Sequence, residues 1–152
     1  MQIRGYEATS DEKALIGLAE ALADFDLLQR INGTDFKKKQ REWLKEELRQ
    51  GDRDQHLLVL VEKEKIIGFI QLTEEEDWLT GAKQGYVSRI CVSDTARGRG
   101  LGKKLMGLAE DWARQQGYAG LGLNVFCSNE HAVAFYRSLG FEMETMKMRK
   151  EL

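Results

Sequence analysis

Residues 86–117, YVSRICVSDTARGRGLGKKLMGLAEDWARQQG, decide the fold of this chain. Their pattern predicts a β-strand, then a turn rich in glycine and arginine, then a long amphipathic helix. Apolar and partly β-branched residues from Val87 to Val92 indicate the strand. Apolar residues recur every three or four positions from Leu101 to Ala113, which is the spacing of one helix face. Gly117 stands where a left-handed helix cap is expected.

The turn between strand and helix has the composition of a phosphate-binding site. Its three glycines lack a Cβ, so an anion can come close to the main-chain N–H groups that have no acceptor at a helix start. Arginines and lysines surround the same point, although the whole chain has a formal net charge of −2. A solvated basic turn is the alternative interpretation. The glycines are Gly98, Gly100 and Gly102, and the cations are Arg97, Arg99, Lys103 and Lys104.

Two common nucleotide motifs do not fit this turn. A P-loop requires glycine five residues before its Gly-Lys pair and Ser or Thr after it, but those positions hold Arg97 and Lys104. The dinucleotide motif G-x-G-x-x-G requires a third glycine where Lys103 stands. What remains, Arg97-x-x-Gly100-x-Gly102, resembles the acetyl-CoA signature Q/R-x-x-G-x-G/A of the GNAT N-acetyltransferases.

A second motif makes this resemblance more specific. Residues 121–141 predict a strand followed by a helix, and they contain Asn129, Ala132, Tyr136 and the pair Gly140-Phe141. This spacing is similar to the second GNAT half-site, N-x-x-A-x-x-x-Y-x-x-x-G-F. Two motifs in the expected order and at the expected distance are hard to obtain by chance. The distinctive motifs lie within residues 86–141, whereas the order of strands and helices follows the family over nearly all of the chain.

The whole chain, residues 1–152, is predicted to form one domain with the order β-α-α-β-β-β-α-β-α-β. This order matches the GNAT arrangement, so the resemblance implies an α/β (α+β) acyl-CoA N-acyltransferase fold with a mixed, mostly antiparallel sheet and a splayed central parallel pair. A helix connects the strands expected at 86–93 and 120–127, so these two should be the parallel neighbours. The other strands are expected at 2–8, 57–62, 66–73 and, with a bulge, 141–150. A capping box at 9–12 and a cap at Thr34 or Asp35 should open the first two helices, and residues 51–54 should end the second.

The resemblance implies roles for individual residues. The pyrophosphate of acetyl-CoA would bind at the turn, and its pantetheine arm would bond to the main chain at residues 90–92 like an added strand. Tyr136 would act as general acid beside the coenzyme sulfur, although a tyrosine packed in a helix is the simpler interpretation. Asn129 is expected as the N-cap of its helix, as a coenzyme ligand, or as both. The expected coenzyme-binding residues are Ile90, Cys91, Val92, Arg97, Gly98, Arg99, Gly100, Leu101, Gly102, Lys103, Asn129 and Tyr136.

The acceptor side of the site has weaker signals. An alkylamine with a pKa of about 10.4 is mostly protonated near pH 7, so an enzyme must bind the rare neutral form or remove a proton. Ser88 and Arg89 stand where many GNAT members have a carboxylate, so the resemblance assigns no general base. The candidates for acceptor contacts are Glu76, Asp77, Trp78 and Arg89. Each candidate also has a simpler interpretation. Glu76 and Asp77 could belong to a solvated acidic turn, Trp78 could cover the edge of the core, and Arg89 could be structural.

Composition excludes several classes of function. An isoelectric point near 5.8 argues against a nucleic-acid-binding protein. No apolar run approaches the ~18 residues of a membrane span, and the first residues do not resemble a secretory signal, which predicts a cytoplasmic protein without membrane contact. Cys91 and Cys127 lack C-x-x-C spacing, and His56 and His131 lack metal-ligand spacing. Reduced thiols and no metal site are therefore expected.

These observations predict an acetyl-CoA-dependent N-acetyltransferase that moves an acetyl group to a primary amine by direct attack, without an acyl-enzyme on either cysteine. A small amine is the expected acceptor. Acetylation of a protein N-terminus or lysine, and a non-catalytic acyl-CoA-binding module, are the alternatives. The identity of the acceptor, the general base, the use of longer acyl groups and a homodimer through the methionine-rich last strand stay open.

Overall fold

The computed structural model describes residues 1–28, 30–50 and 56–152. Over these residues the chain forms five strands and four α-helices, with short 3₁₀ turns at Glu20–Ala23 and Asp94–Ala96. The strands are β1 (Gln2–Gly5), β2 (His56–Glu62), β3 (Lys65–Glu76), β4 (Lys83–Val92) and β5 (Leu121–Leu123). The helices are α1 (Ala8–Ala19), α2 (Gly33–Gln50), α3 (Leu101–Gln115) and α4 (Glu130–Ser138).

The five strands form one sheet in the order β1-β2-β3-β4-β5. Neighbours from β1 to β4 are antiparallel, whereas β4 and β5 are parallel. The parallel pairing covers only three residue pairs, from Gly85 with Leu121 to Val87 with Leu123. β4 then continues to Val92 without a neighbour on that edge. The predicted mixed, mostly antiparallel sheet with a splayed parallel pair is therefore confirmed.

Helices cover both faces of the sheet. On one face, Leu15 of α1 and Leu44 of α2 are fully buried against a cluster that includes Cys91 of β4. On the other face, Leu105 of α3 is buried in a second cluster that includes Val87 of β4. β4 therefore lies in the middle of a three-layer arrangement and contributes side chains to both cores.

A β-bulge in β4 decides which core each later side chain faces. Arg89 and Val87 pair with two consecutive residues of β3, so Ser88 between them is an extra residue. Without the bulge, Arg89 would share the α3 side of the sheet with Val87, because alternate residues of a strand share a face. Instead Arg89 bonds to Glu47 of α2. The bulge thus turns Arg89 toward the layer formed by α1 and α2.

The predicted cap at the end of α3 is confirmed. Gly117 has a left-handed backbone with φ of +77°. Its N–H donates to Arg114 O at 3.0 Å, and Tyr118 N donates to Ala113 O at 3.0 Å. These two bonds form a Schellman motif, which satisfies carbonyl groups that would otherwise lack a donor at the helix end.

Three predicted strands differ from the structure. The strand expected at 2–8 ends at Gly5, and Ala8 is already the first residue of α1. Residues 141–152 form neither strand nor helix, so the expected strand at 141–150 is absent and the described sheet has five strands. The methionines of this segment are exposed: Met143 by 51%, Met146 by 64% and Met148 by 87%. A strand that buries no apolar face gains little from joining a sheet, which explains the difference. The strand expected at 120–127 is present but ends at Leu123.

The cap of α2 lies two or three residues earlier in the sequence than predicted. The helix begins at Gly33, and Asn32 Oδ1 accepts a hydrogen bond from Asp35 N at 3.1 Å. Asn32 is therefore the N-cap, whereas Thr34 and Asp35 lie inside the first turn. Asparagine caps a helix as well as aspartate does, so the residue class alone could not decide. The break predicted at 51–54 lies outside the described residues.

The capping box predicted at 9–12 is wrong, because α1 begins before it, and Asp11 instead bonds to the main chain ahead of the helix. Helix α1 begins at Ala8 with Glu7 as N-cap, and no side chain caps it. The buried Asp11 carboxylate accepts hydrogen bonds from Arg4 Nη1 at 2.5 Å, Arg4 Nη2 at 2.9 Å and Glu7 N at 2.9 Å. These contacts, first of all the one with the Arg4 guanidinium, hold the pKa of Asp11 well below its ordinary value.

We expect Asp11→Asn to lower the free energy of unfolding by about 2 kcal/mol at pH 7, and by less at pH 3. Because the folded-state pKa is depressed, the contribution of Asp11 is complete above the unfolded pKa of about 3.9 and is lost as the pH falls toward the folded pKa. Urea unfolding at both pH values measures it. Asp111→Asn is the control, because its pair with Arg114 is exposed. Equal losses at pH 7 and pH 3 for Asp11→Asn would contradict the assignment.

Candidate active site

A cleft opens at the carboxyl end of β4, where β5 no longer pairs with it. Its volume is about 1800 Å³. Three parts of the chain border it: residues 21–43 from the end of α1 into α2, residues 87–103 from β4 into α3, and residues 123–136 from β5 into α4. The second and third parts carry the two sequence motifs. The fold therefore brings both motifs to one cavity.

The glycine-rich turn leaves space beside the start of α3. Gly98 and Gly100 have φ values of +74° and +73°, and a Cβ on either would meet no atom within 4 Å. The first hydrogen bond of α3 runs from Lys104 N to Gly100 O at 3.1 Å. The N–H groups of residues 101–103 therefore have no acceptor within the helix. Together with the helix dipole, they can bind a phosphate group.

The third glycine of the turn has a packing role. A Cβ on Gly102 would lie 3.3 Å from Phe135 Cζ of α4. This is closer than most real contacts, so a larger residue would push α4 away from α3. Gly102 therefore sets the distance between the helix that starts at the turn and the helix that carries Tyr136.

The cations around the turn are not equivalent. Arg97 is already paired with two carboxylates, at 2.9 and 3.6 Å. Arg99 binds both oxygens of Glu62, at 2.6 and 3.1 Å, and it is the only expected coenzyme residue that does not line the cleft. Lys103 lines the cleft and makes no ion pair with any described residue. A bound anion can therefore be neutralised by Lys103 without breaking a salt bridge, whereas Arg97 would exchange partners.

The main chain of β4 is open along the cleft. The N–H groups of a strand alternate between its two edges. Ser93 N donates to Ile67 O of β3 at 2.8 Å. The N–H groups of Val92 and Ile90 are therefore directed to the other edge, where β5 has ended. An extended ligand can bond to this edge as a further strand would.

Cys91 belongs to the core and not to the reactive surface of the cleft. Its side chain is buried in the α1–α2 cluster, and its Sγ donates to Leu18 O at 3.4 Å. Burial raises the pKa of the Cys91 thiol to about 12. The nucleophilic thiolate is therefore scarce at neutral pH. Both cysteines are free, as the sequence predicted, and Cys127 is exposed.

Tyr136 presents a protonated phenol to the cleft. Its ring lies 5.3 Å from the Phe135 ring and 5.9 Å from the Phe141 ring, measured between centroids. Burial raises the pKa of Tyr136 to about 12, so its hydroxyl keeps its proton across the physiological range. No described group forms a hydrogen bond with this hydroxyl. It is therefore available to donate to a ligand.

The start of α4 supplies further polar groups to the cleft. Asn129 is the N-cap, as predicted, and its Oδ1 accepts a hydrogen bond from Ala132 N at 3.1 Å. Ser128 precedes it, and the Ser128 Oγ is buried without a hydrogen-bond partner among the described residues. Both residues line the cleft. An unpaired buried hydroxyl costs free energy that a bound ligand can recover.

Arg89 lines the cleft, but its charge is already neutralised. Its guanidinium bonds to both carboxylate oxygens of Glu47 and donates to Gln71 Oε1 at 2.8 Å. Gln71 Nε2 in turn donates to Glu47 Oε2 at 3.0 Å. Only 11% of the Arg89 side chain is exposed. The network ties α2 to β3 and β4 beside the cleft, which favours the structural interpretation of Arg89.

The acidic run at residues 74–77 lies at the end of β3 and in the turn after it, and it stabilises a hairpin outside the cleft lining. Glu74 pairs with a lysine of β4 at 2.6 Å. Asp77 accepts two hydrogen bonds within the turn, at 2.5 and 2.9 Å. Trp78, at the same turn, is 75% exposed. Glu76, Asp77 and Trp78 do not line the cleft, so Arg89 alone of the expected acceptor contacts lies there.

Most of the chain matches the sequence pattern of one protein family. The model of the acetyltransferase (GNAT) family matches residues 16–141. The chain belongs to the GNAT family. It is 33% identical over 76 residues to YdgE, an uncharacterized N-acetyltransferase of Bacillus subtilis (strain 168), a match that covers 50% of this chain and 48% of that protein. This GNAT chain spans about half the length, or less, of the curated relatives it matches.

Solved GNAT structures share the whole fold. The ribosomal-protein-alanine N-acetyltransferase of Brucella melitensis biovar Abortus 2308 superimposes with a TM-score of 0.71 at 20% identity, over 99% of this chain and 98% of that one. The glucosamine-6-phosphate N-acetyltransferase of Arabidopsis thaliana gives 0.67 at 23% identity, over 99% and 97%. These structures confirm the fold, and the family match over residues 16–141 confirms the family that the two motifs predicted.

The structure adds aromatic residues to the GNAT cleft that the sequence did not single out. A tryptophan on an amphipathic helix such as α2 is usually assigned to the buried side, but Trp43 is 49% exposed and lines the cleft. Consecutive helix residues are about 100° apart, so Trp43 lies at the edge of the face that buries Leu44. Phe25 and Phe126 line the cleft as well. The available signal was a second stripe on α2 with helical spacing: Gly33, Lys37, Gln40 and Trp43.

The described part of this GNAT chain offers neither a metal site nor a membrane span. No group of three or more His, Cys, Asp or Glu residues in 1–28, 30–50 and 56–152 could hold a metal ion. Within those ranges, no helix combines the length and the apolar character needed to cross a bilayer.

Proposed function

We propose that this GNAT protein is an acetyl-CoA-dependent N-acetyltransferase that acetylates a small primary amine by direct attack in a ternary complex. One observation carries the proposal: three unused binding features face the same cleft. They are the helix start at residues 98–103, the open edge of β4 at residues 90–92, and the phenol of Tyr136. The first suits a diphosphate, the second an extended amide chain, and the third a leaving group that needs a proton.

The cleft residues fit coenzyme A in charge and shape. The N–H groups of residues 101–103 and the Lys103 ammonium would hold the pyrophosphate, and the left-handed Gly98 and Gly100 leave room for it. The outward N–H groups of Ile90 and Val92 would hold the pantetheine amides. Asn129 and Ser128 offer further polar groups, and the unpaired Ser128 hydroxyl supports a ligand at that end.

The chemistry requires few groups from the protein. When bound, acetyl-CoA supplies a thioester whose acetyl carbon accepts the lone pair of a neutral amine, so that a C–N bond forms, the C–S bond breaks and the sulfur takes up a proton. The Val92 N–H would donate to the thioester carbonyl oxygen. The Tyr136 hydroxyl would donate to the leaving sulfur. The amine loses its own proton to water, because no cleft carboxylate is assigned as base. The buried Cys91 thiol supports direct attack rather than an acyl-enzyme.

The fold leaves the class of acceptor open. One structural neighbour is named for an amino-sugar phosphate and another for the alanine of a ribosomal protein. Acetylation of a protein N-terminus or lysine is therefore the alternative reaction for this chain. A non-catalytic acyl-CoA-binding module would keep the turn and the β4 edge without using Tyr136.

Two measurements on the purified protein test the proposal. Titration calorimetry with acetyl-CoA is expected to show binding. Release of free CoA thiol is expected to depend on an added amine from a panel of polyamines, aminoglycosides, amino acids, arylalkylamines and peptides. Binding without amine-dependent release would support the non-catalytic module. The absence of binding would overturn the whole assignment.

A further inference from the structure

An aromatic wall forms one side of the cleft. We define it by Phe25, Phe36, Trp43 and Phe126. The Phe25 and Phe126 rings are 5.4 Å apart, the Phe36 and Phe126 rings 5.8 Å, and the Phe36 and Trp43 rings 6.5 Å, between centroids. The wall joins three segments that are distant in sequence: the loop after α1, helix α2 and the chain after β5. It therefore bridges two of the parts of the chain that border the cleft.

The wall keeps apolar surface in contact with the cleft. Among its members Phe36 is buried, whereas Trp43 is 49% exposed and Phe126 is 40% exposed. These two residues and Phe25 line the cleft. Large exposed aromatic side chains in a concave site usually contact a ligand. Their faces can attract an ammonium group, and their edges can pack on an apolar body.

The charges near the wall nearly cancel. Four charged residues line the cleft on the side formed by residues 21–43 and the middle of β4: Asp24, Asp26, Lys37 and Arg89. Arg89 is neutralised by Glu47, and Asp24 lies 3.6 Å from Arg97. Asp26 and Lys37, which have no ion pair among the described residues, leave one charge of each sign. A phosphorylated sugar or a polyamine would thus find no matching excess of charge.

From these observations we infer that the acceptor is an amine with an aromatic or bulky apolar body, which packs against the aromatic wall. This inference rests on the proposed N-acetyltransferase function and narrows its acceptor class. Apolar contact then supplies most of the acceptor affinity, because the side chains near the wall offer neither a spare cation cluster nor a spare anion cluster. The acceptor must lose the proton of its ammonium form before its nitrogen can attack. Because the cleft is open, that proton can pass to water.

Rates of CoA thiol release with matched amines test the inference. Phenethylamine and tryptamine are the aromatic probes, spermidine is the polycation, glucosamine 6-phosphate is the anionic sugar, and an alanyl peptide represents a protein N-terminus. We expect kcat/KM for phenethylamine to exceed that for spermidine and for the sugar at least tenfold. An equal or higher kcat/KM for any of the three non-aromatic probes would overturn the inference while leaving the acetyltransferase proposal intact.

Substitutions locate the contact. Trp43→Ala is expected to raise the KM for phenethylamine about tenfold with little change in the KM for acetyl-CoA, since the inference assigns the wall to the acceptor and the turn to the coenzyme. Phe126→Leu, which keeps an apolar side chain, should give a smaller increase. Leu79→Ala is the control, because Leu79 is 59% exposed and lies outside the cleft lining. Trp78→Ala tests the rival acceptor position predicted from the sequence. An unchanged KM in Trp43→Ala with a raised KM in Trp78→Ala would move the acceptor site to the hairpin.

Failure of the inference is distinguishable from failure of the function. If acetyl-CoA binds and another amine in the panel releases thiol, the function stands and only the acceptor class is wrong. If no amine releases thiol, the N-acetyltransferase function and the inference on its acceptor are both wrong. Thermal unfolding of each variant separates a lost contact from a lost fold, and Trp43→Ala is expected to stay folded because its side chain is half exposed.

Discussion

Tyr136→Phe is expected to lower kcat about 100-fold and to leave the KM for acetyl-CoA within about twofold. The change removes one hydroxyl and keeps the ring that packs against Phe135 and Phe141. Since the hydroxyl has no partner in the described protein, its removal leaves no group unpaired. The loss should therefore appear in the step in which sulfur leaves. Steady-state rates of thiol release at saturating amine measure it.

A matched control exists in the same protein. Tyr118→Phe also removes a phenol hydroxyl, one that donates to Glu74 Oε2 at 2.5 Å outside the cleft. It should leave kcat unchanged. The pKa of Tyr136 near 12 adds a second check, because deprotonation of this residue should not produce an alkaline fall in kcat below about pH 11. Equal kcat values for the wild type and Tyr136→Phe would remove the proposed acid.

Gly100→Ala is expected to weaken acetyl-CoA binding 10- to 100-fold, which corresponds to about 1.4–3 kcal/mol. Gly100 has φ of +73°, so alanine there strains the backbone by about 1–2 kcal/mol and places a methyl group in the space beside the helix start. A shift of the turn would misdirect the N–H groups of residues 101–103. Calorimetry measures the affinity, and urea unfolding measures the strain.

Gly107→Ala is the control for this substitution. Gly107 lies within the same helix, has no left-handed φ, and a Cβ there meets no atom within 4 Å. Alanine should stabilise the helix by about 0.5–1 kcal/mol and leave acetyl-CoA affinity unchanged. If both variants bound acetyl-CoA as the wild type does, the turn would not be the phosphate site.

The part of the site that the sequence predicted is the local part. The turn and the start of α3 occupy consecutive residues, so glycine spacing and helix periodicity suffice to locate them. The parallel pair followed from a helix between two strands. The N-cap Asn129 followed from its position before an apolar helix. In the turn and the cap the relevant partners are within a few positions of each other in the chain, and the two parallel strands are linked by a single helix.

The acceptor side could not be predicted because its contacts are between distant segments. Nothing local says that Phe25, Trp43 and Phe126 meet, and a tryptophan on an amphipathic helix is usually assigned to the core. The acidic run at 74–77 is a charge cluster in the sequence, but strand pairing supplies it with partners such as Lys83. Such pairing depends on register, which composition does not reveal.

The bulge in β4 had a weak sequence signal. Two polar residues, Ser88 and Arg89, interrupt the apolar positions Val87 and Ile90, which breaks a strict alternation. A break of this kind fits a bulge or a strand end equally well. Only the pairing of β3 with β4 shows that the strand continues with one extra residue. Glu47, a helix residue on another segment, then determines where the Arg89 charge is neutralised.

Insertions and deletions should therefore be tolerated very unequally along this hairpin. Loss of Ser88 would remove the bulge and keep the pairing of Arg89 with Gln71, whereas loss of Ile90 would exchange the faces of Cys91 and Val92, carrying Cys91 toward α3 and Val92 toward α1 and α2. The exposed turn at residues 77–82 has no such constraint, because loops at the surface accept changes in length. Functional variants of this chain should accordingly differ in the number of residues between β3 and β4, and not between Arg89 and Val92.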